Sequence, residues 1–86
     1  MEKKYKLTEE TINVGDKTLH CIEALRDFSD VKKGDKGGYI EKEENLSQRG
    51  DCWVYKNAKV YGNAVVREDA KIYDNVKVCG NAEVYG

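Results

Sequence analysis

From Val54 onward an apolar, β-branched side chain returns at every sixth position: Val54, Val60, Val66, Ile72, Val78 and Val84. Four positions after each of the first five comes a second apolar residue: Ala58, Ala64, Ala70, Val76 and Ala82. Between them lie the pairs Lys56-Asn57, Gly62-Asn63, Glu68-Asp69, Asp74-Asn75 and Gly80-Asn81, and the other places carry mostly Tyr, Lys, Arg and Glu. A period of six is neither the period of a helix nor the alternation of a simple strand. Val, Tyr, Asn, Asp and Gly also disfavour a helix. The pattern predicts a short strand followed by a corner, repeated. The β-branched residue points inward and the alanine fills the tight space beside it. The pair turns the chain, since Asn and Asp tolerate the left-handed conformation and Gly adopts it freely. Three such sides close a coil of eighteen residues, and stacked coils pair as parallel strands about 4.8 Å apart. Residues eighteen apart then share a face, with Tyr55 beneath Tyr73, Tyr61 beneath Cys79 and Arg67 beneath Tyr85.

Upstream the pattern changes. Residues 1–6 are charged and are expected to fray. The stretch TINVGDKTLHCIEAL predicts a hairpin turning on Gly15-Asp16, with glycine in the first central place. That turn pairs Ile12 with Leu19 and Val14 with Lys17. The second strand, Thr18 to Leu25, is apolar on both faces, which predicts cover from both sides. A loop holding Gly34, Gly37 and Gly38 follows. Ile40 and Leu46 are six apart and begin the beat, while the eight positions from Leu46 to Val54 imply two inserted residues around Gln48-Arg49. One domain, 1–86, results: hairpin and loop over 1–39, coils over 40–86.

A hexapeptide period is a signature of a parallel β-helix. The hexads, with their repeated Val-Tyr-Gly-Asn-Ala, resemble those of the left-handed β-helix, hexapeptide-repeat proteins. They are similar in particular to small bacterial and phage proteins that carry a transferase label. The lead-in from Ala24 to Val54 also resembles the stretch before the repeats in that group. The resemblance implies a short left-handed parallel β-helix preceded by an N-terminal β-hairpin and Gly-rich loop, an all-β fold. It also implies assembly with copies of itself as a trimer, and unpaired strand edges at the open ends of the coils would let two trimers pair. The fold alone names no chemistry.

Composition narrows the functions. Leu, Ile, Val and Phe together number 18 and charged residues reach 36%, so core material is scarce and self-association is expected to bury more. Net charge is −1 and neither half is basic, which argues against a nucleic-acid polymer as partner. No apolar run reaches membrane-spanning length and no signal peptide opens the chain, so neither a membrane nor export is expected. Cys21, Cys52 and Cys79 have no metal-like spacing and predict free thiols in a reducing cytosol, of a bacterium or of an infected host if the chain is phage-encoded. No metal or cofactor is expected.

Three candidate chemistries remain. The resemblance suggests acyl transfer with a His in or beside the coils as general base, but residues 40–86 contain no His, and His20 lies on the hairpin. Lys32–Gly38, including Lys33, could cradle an anion with its N–H groups, or simply form a tight turn. Tyr39, Trp53, Tyr55 and Tyr73, with Arg49 and Arg67, could stack a base and clamp its phosphates, or could anchor a subunit interface. Asp27, Asp30 and Asp35 pair with Arg26 and the lysines or are solvated. The excess of Trp, Tyr and Arg at the coil entrance puts one reading first. It is a non-catalytic oligomer holding a small anionic, nucleotide-like ligand in clefts between subunits; by analogy of size, it is a phage protein sequestering a host nucleotide signal. A purely structural oligomerisation module, and a hexapeptide acyltransferase or its degenerate remnant, are the alternatives.

Overall fold

A computed structural model describes residues 3–86. The chain is all-β, with nine strands and one 3₁₀ turn among the described residues. β1 (Tyr5–Val14) and β2 (Lys17–Ala24) form the predicted hairpin, with Ile12 opposite Leu19 and Val14 opposite Lys17. Gly15 takes the left-handed conformation at the turn, φ 61°. β2 is central. Leu19 and Cys21 on one face and Ile22 and Ala24 on the other are all buried. β3 (Lys36–Ile40) pairs antiparallel with β2 and parallel with β5 (Lys59–Val60), so hairpin and repeats share one sheet, ordered β1-β2-β3-β5-β8.

The remaining strands are two residues each: β4 (Trp53–Val54), β6 (Val65–Val66), β7 (Lys71–Ile72), β8 (Lys77–Val78) and β9 (Glu83–Val84). They form parallel ladders in which β4 meets β7, β5 meets β8 and β6 meets β9, each pairing residues eighteen apart. Tyr39 with Lys59, Ile40 with Val60 and the bridge from Leu46 to Val66 are instead twenty apart. The two extra residues expected near Gln48-Arg49 account for that difference. The predicted stacks also form. Tyr55 lies on Tyr73 with ring centroids 4.7 Å apart, and the Arg67 guanidinium sits 4.4 Å from the Tyr85 ring.

Inward residues bury as the hexad requires. Val54, Val60 and Val66 are completely buried, Ile72 and Val78 nearly so, with Ala58, Ala64 and Ala70 beside them. Burial fades toward the final residues. Val84 is half-buried, while Val76 is 49% exposed because no described backbone lies over it.

Corner chemistry differs in detail from the sequence expectation. The left-handed residue is the first of the pair at Gly62, Glu68, Asp74 and Gly80, and the second only at Asn57. Asn63, Asp69 and Asn81 therefore serve another purpose: their side chains join neighbouring coils. Asn63 Nδ2 donates to Asn81 Oδ1 at 3.4 Å, and the Asp51 N–H to Asp69 Oδ1 at 3.3 Å. Glu68, at φ 61°, bears a Cβ in a conformation that suits glycine.

The expectation that residues 1–6 fray is overturned at Lys4 and Tyr5; Met1 and Glu2 lie outside the described residues. Both Lys4 and Tyr5 are completely buried. The Tyr5 hydroxyl donates to the carbonyls of Leu46 and Glu43. Lys4 Nζ donates to Cys52 O at 2.7 Å and Gly50 O at 3.2 Å, within the inserted segment. Gln48 Oε1 accepts from the Lys4 N–H at 2.7 Å. Charge alone misleads here because the insert's bent backbone leaves carbonyls that no strand satisfies. A buried ammonium satisfies them.

Glu68→Gly should raise stability by about 0.5–1 kcal/mol, since relief of the left-handed strain exceeds glycine's extra chain entropy and the exposed Arg67–Glu68 pair contributes little. A thermal midpoint equal to or below that of the native chain would contradict this. Burial lowers the Lys4 pKa from its ordinary 10.5. Between the folded value and 10.5 the unfolded chain binds a proton that the folded chain lacks, so stability contributed by this group rises with pH across that window. Urea midpoints between about pH 8 and about pH 10 should climb more steeply in the native chain than in Lys4→Met.

Candidate functional site

A cavity of about 920 Å³ lies where the hairpin, the glycine-containing loop and the first corner of the repeats meet. β3 makes it possible. A Cβ on Gly37 would fall 2.4 Å from the Val54 carbonyl oxygen, and one on Gly38 2.4 Å from those of Tyr55 and Ala58. Only glycine lets this strand lie flush on the corner and carry Tyr39 to the cavity wall. Gly37 and Gly38 thus belong to a strand, not to an anion-binding loop. The loop's own N–H groups are also occupied. Lys32 N donates to Asp35 Oδ2 at 3.0 Å, Lys33 N to Asp27 Oδ1 at 2.8 Å and Gly34 N to the Ala24 carbonyl at 2.9 Å.

Of the seven ligand-binding residues expected from the sequence, Tyr39, Trp53, Tyr55 and Tyr73 line this cavity. Trp53 does so from within the core. It is 2% exposed, with Phe28 edge-on at 5.2 Å and Tyr5 edge-on at 6.3 Å, so it offers no free face for stacking. Tyr55 and Tyr73 form the aromatic surface, and Tyr73 is 50% exposed. The Tyr55 hydroxyl donates to Asp30 Oδ1 at 2.6 Å, tying the loop to the coil. Burial, and then the bonded Asp30 carboxylate, raise the pKa of this phenol.

The basic residues stand elsewhere. Arg67 lines a separate groove of about 600 Å³ with Glu43, Glu44 and Gln48, and it is engaged by Glu68 and Glu83, each at 3.3 Å. Arg49, in the exposed insert, and Lys33, on the exposed loop, line neither space. The aromatic cavity instead gathers Glu10, Asp30, Asp35 and Asp74 against Lys36 and Lys56, and Lys36 is paired with Glu10. Of the three loop carboxylates, Asp27 and Asp35 accept from backbone N–H groups and Asp30 from Tyr55. None is among the ion pairs of the described residues.

Sequence reasoning missed the part played by Asp30, Asp74 and Glu10. Asp74 had a signal: it sits one place after Tyr73, at a corner one coil above Lys56. Glu10 had none, because the hairpin's placement over the loop is not periodic. His20 is half-buried on β2, its Nδ1 3.1 Å from the Thr8 carbonyl oxygen, and it lines none of these spaces. Among the described residues no group of three or more His, Cys, Asp or Glu could hold a metal ion.

No family model matches the chain. It is similar to the uncharacterized acetyltransferase YdcK of Escherichia coli (strain K12), with 47% identity over 49 residues. That stretch is 56% of this chain and 15% of the relative, so the chain spans a small part of the curated protein it matches.

Proposed function

We propose that this chain is an acyltransferase-like protein of the hexapeptide-repeat kind. In this reading its parallel ladders wind as a short left-handed β-helix, and the aromatic cavity is the seat for an acyl acceptor. The observation that carries it is the eighteen-residue step shared by three ladders, joined to the 47% likeness to an acetyltransferase over 49 residues. An anionic, nucleotide-like ligand has less support. Carboxylates outnumber ammonium groups in the cavity, and Arg49 and Arg67 stand outside it, so nothing there clamps a phosphate. His20 lies outside the cavity and is not its general base, since such a base must come within hydrogen-bond reach of the proton it removes.

Thermal denaturation with acetyl-CoA and, separately, with nucleotides tests the proposal. Acetyl-CoA at a hundred times its dissociation constant should add about 2.7 kcal/mol, in native chain and His20→Ala alike. Stabilisation by a nucleotide and none by acetyl-CoA would return the nucleotide reading to first place, and none by either would favour a purely structural module.

Self-association, as a trimer or a pair of trimers, belongs to the same proposal. Its support is the shortage of core material, with Leu, Ile, Val and Phe together numbering 18. Sedimentation at micromolar protein should give a mass above that of one chain; a monomer would remove this part of the proposal.

A further inference from the structure

Lys4 and Cys52 are reactive groups that the proposed function leaves unused. They lie 48 positions apart, one at the entry to β1 and the other at the end of the inserted segment, and both are completely buried. Lys4 Nζ donates to Cys52 Sγ at 3.3 Å. The ammonium is held there by the carbonyls of Cys52 and Gly50, and the Phe28 ring lies 5.0 Å from the nitrogen. The sulfur is confined as well, with the carbonyl oxygens of Ser47 at 3.5 Å and of Arg49 and Val66 at 3.7 Å. Its one nucleophilic neighbour among these contacts is the lysine amine.

Among the hydrogen bonds of the described residues, the other two cysteines have no lysine amine as a partner. Cys21 Sγ faces the carbonyls of Gly37 and Ile22, and Cys79 is exposed. Buried thiols are ordinarily inert because reagents and bases do not reach them. Cys52 differs in two respects. The segment before it, Arg49 to Asp51, reaches the surface, so a small local opening admits an oxidant little larger than water. The group that would trap the oxidised sulfur is already in contact.

We propose that Lys4 and Cys52 form a covalent nitrogen–sulfur link when the protein meets hydrogen peroxide. Peroxide first transfers one oxygen to the thiol, giving Cys52–SOH and one water; the sulfur loses two electrons and the peroxide gains them. The lone pair of the neutral Lys4 amine then attacks Sγ, and the S–O bond breaks. The departing hydroxide takes a proton from the nitrogen and leaves as a second water. One peroxide is consumed, two waters form and the protein loses two hydrogens. Two equivalents of an external thiol reverse the link, returning amine and thiol and leaving a disulfide of the reductant. Burial lowers the Lys4 pKa, so the neutral amine is more accessible here than on a solvent-exposed lysine. The link would fasten the start of β1 to the insert, a junction otherwise held by hydrogen bonds and core packing.

The test uses the native chain treated with hydrogen peroxide, quenched, unfolded, alkylated and digested with trypsin. Mass spectrometry should find the peptide holding Lys4 joined to the one holding Cys52, lighter by two hydrogens than their sum. Cleavage after Lys4 should be lost, and dithiothreitol should restore it. The joined species should be absent from Lys4→Arg and Cys52→Ser. The proposal is overturned if, once Cys79 has been oxidised, Cys52 is recovered as an alkylated thiol or as sulfinic or sulfonic acid with Lys4 unlinked. That outcome is read on the native chain, so it stands whether or not the variants fold.

Discussion

The contact between β3 and the corner at 54–58 holds the molecule together. β3 donates and accepts in two directions, antiparallel to β2 and parallel to β5. It can do so only by pressing its backbone on the carbonyls of Val54, Tyr55 and Ala58, where Gly37 and Gly38 leave no room for a side chain. The hairpin on its own would have little to bury, and the coils on their own would leave one side of the first turn open. Joined through β3, they enclose one cluster running from Tyr5 and Ile22 through Trp53 to Val78. A two-stranded hairpin is marginal in water, and a third strand with an apolar face is what makes it stable.

The insert between Leu46 and Val54 poses a different problem. Two additional residues break the ladder locally and free several carbonyl groups. Lys4, Tyr5 and Gln48 converge there, two of them from the other end of the chain. Asn45 performs the equivalent task one corner earlier. Its Oδ1 accepts from the N–H groups of Glu41 and Lys42, and its Nδ2 donates to the carbonyls of Gly62 and Ala64. Among the described residues no buried side-chain nitrogen or oxygen lacks a partner. Such a network is costly to disturb in part, because removing one member strands the others.

Docking of the hairpin and loop also shaped the candidate site. Trp53 and Tyr55 flank the inward Val54, two positions apart. Phe28 and Tyr5 cover Trp53 and make it part of the core, while Tyr55 is left to stack on Tyr73 at the surface. Arg67 lies on another face of the coil, a side away from the tyrosines, and Tyr85, Glu68 and Glu83 surround it. Aromatic rings and guanidinium groups that look like one constellation along the chain therefore separate into two. Carboxylates from the hairpin, the loop and the next coil fill the space beside the tyrosines instead.

Periodicity made the repeats legible. Inward valines, the alanines beside them, the eighteen-residue stacks and even the two-residue insert are local consequences of a six-residue rhythm. The hairpin register was equally local, since one glycine turn sets it. What the rhythm does not contain is any interaction between segments that lack it. Whether Lys4 frays or is buried, which face the Gly37-Gly38 pair meets, and which charges surround Tyr55 depend on how the hairpin docks on the coil. That docking is decided by packing and by the hydrogen-bonding demands of distant carbonyls, and no residue carries those in its own sequence neighbourhood.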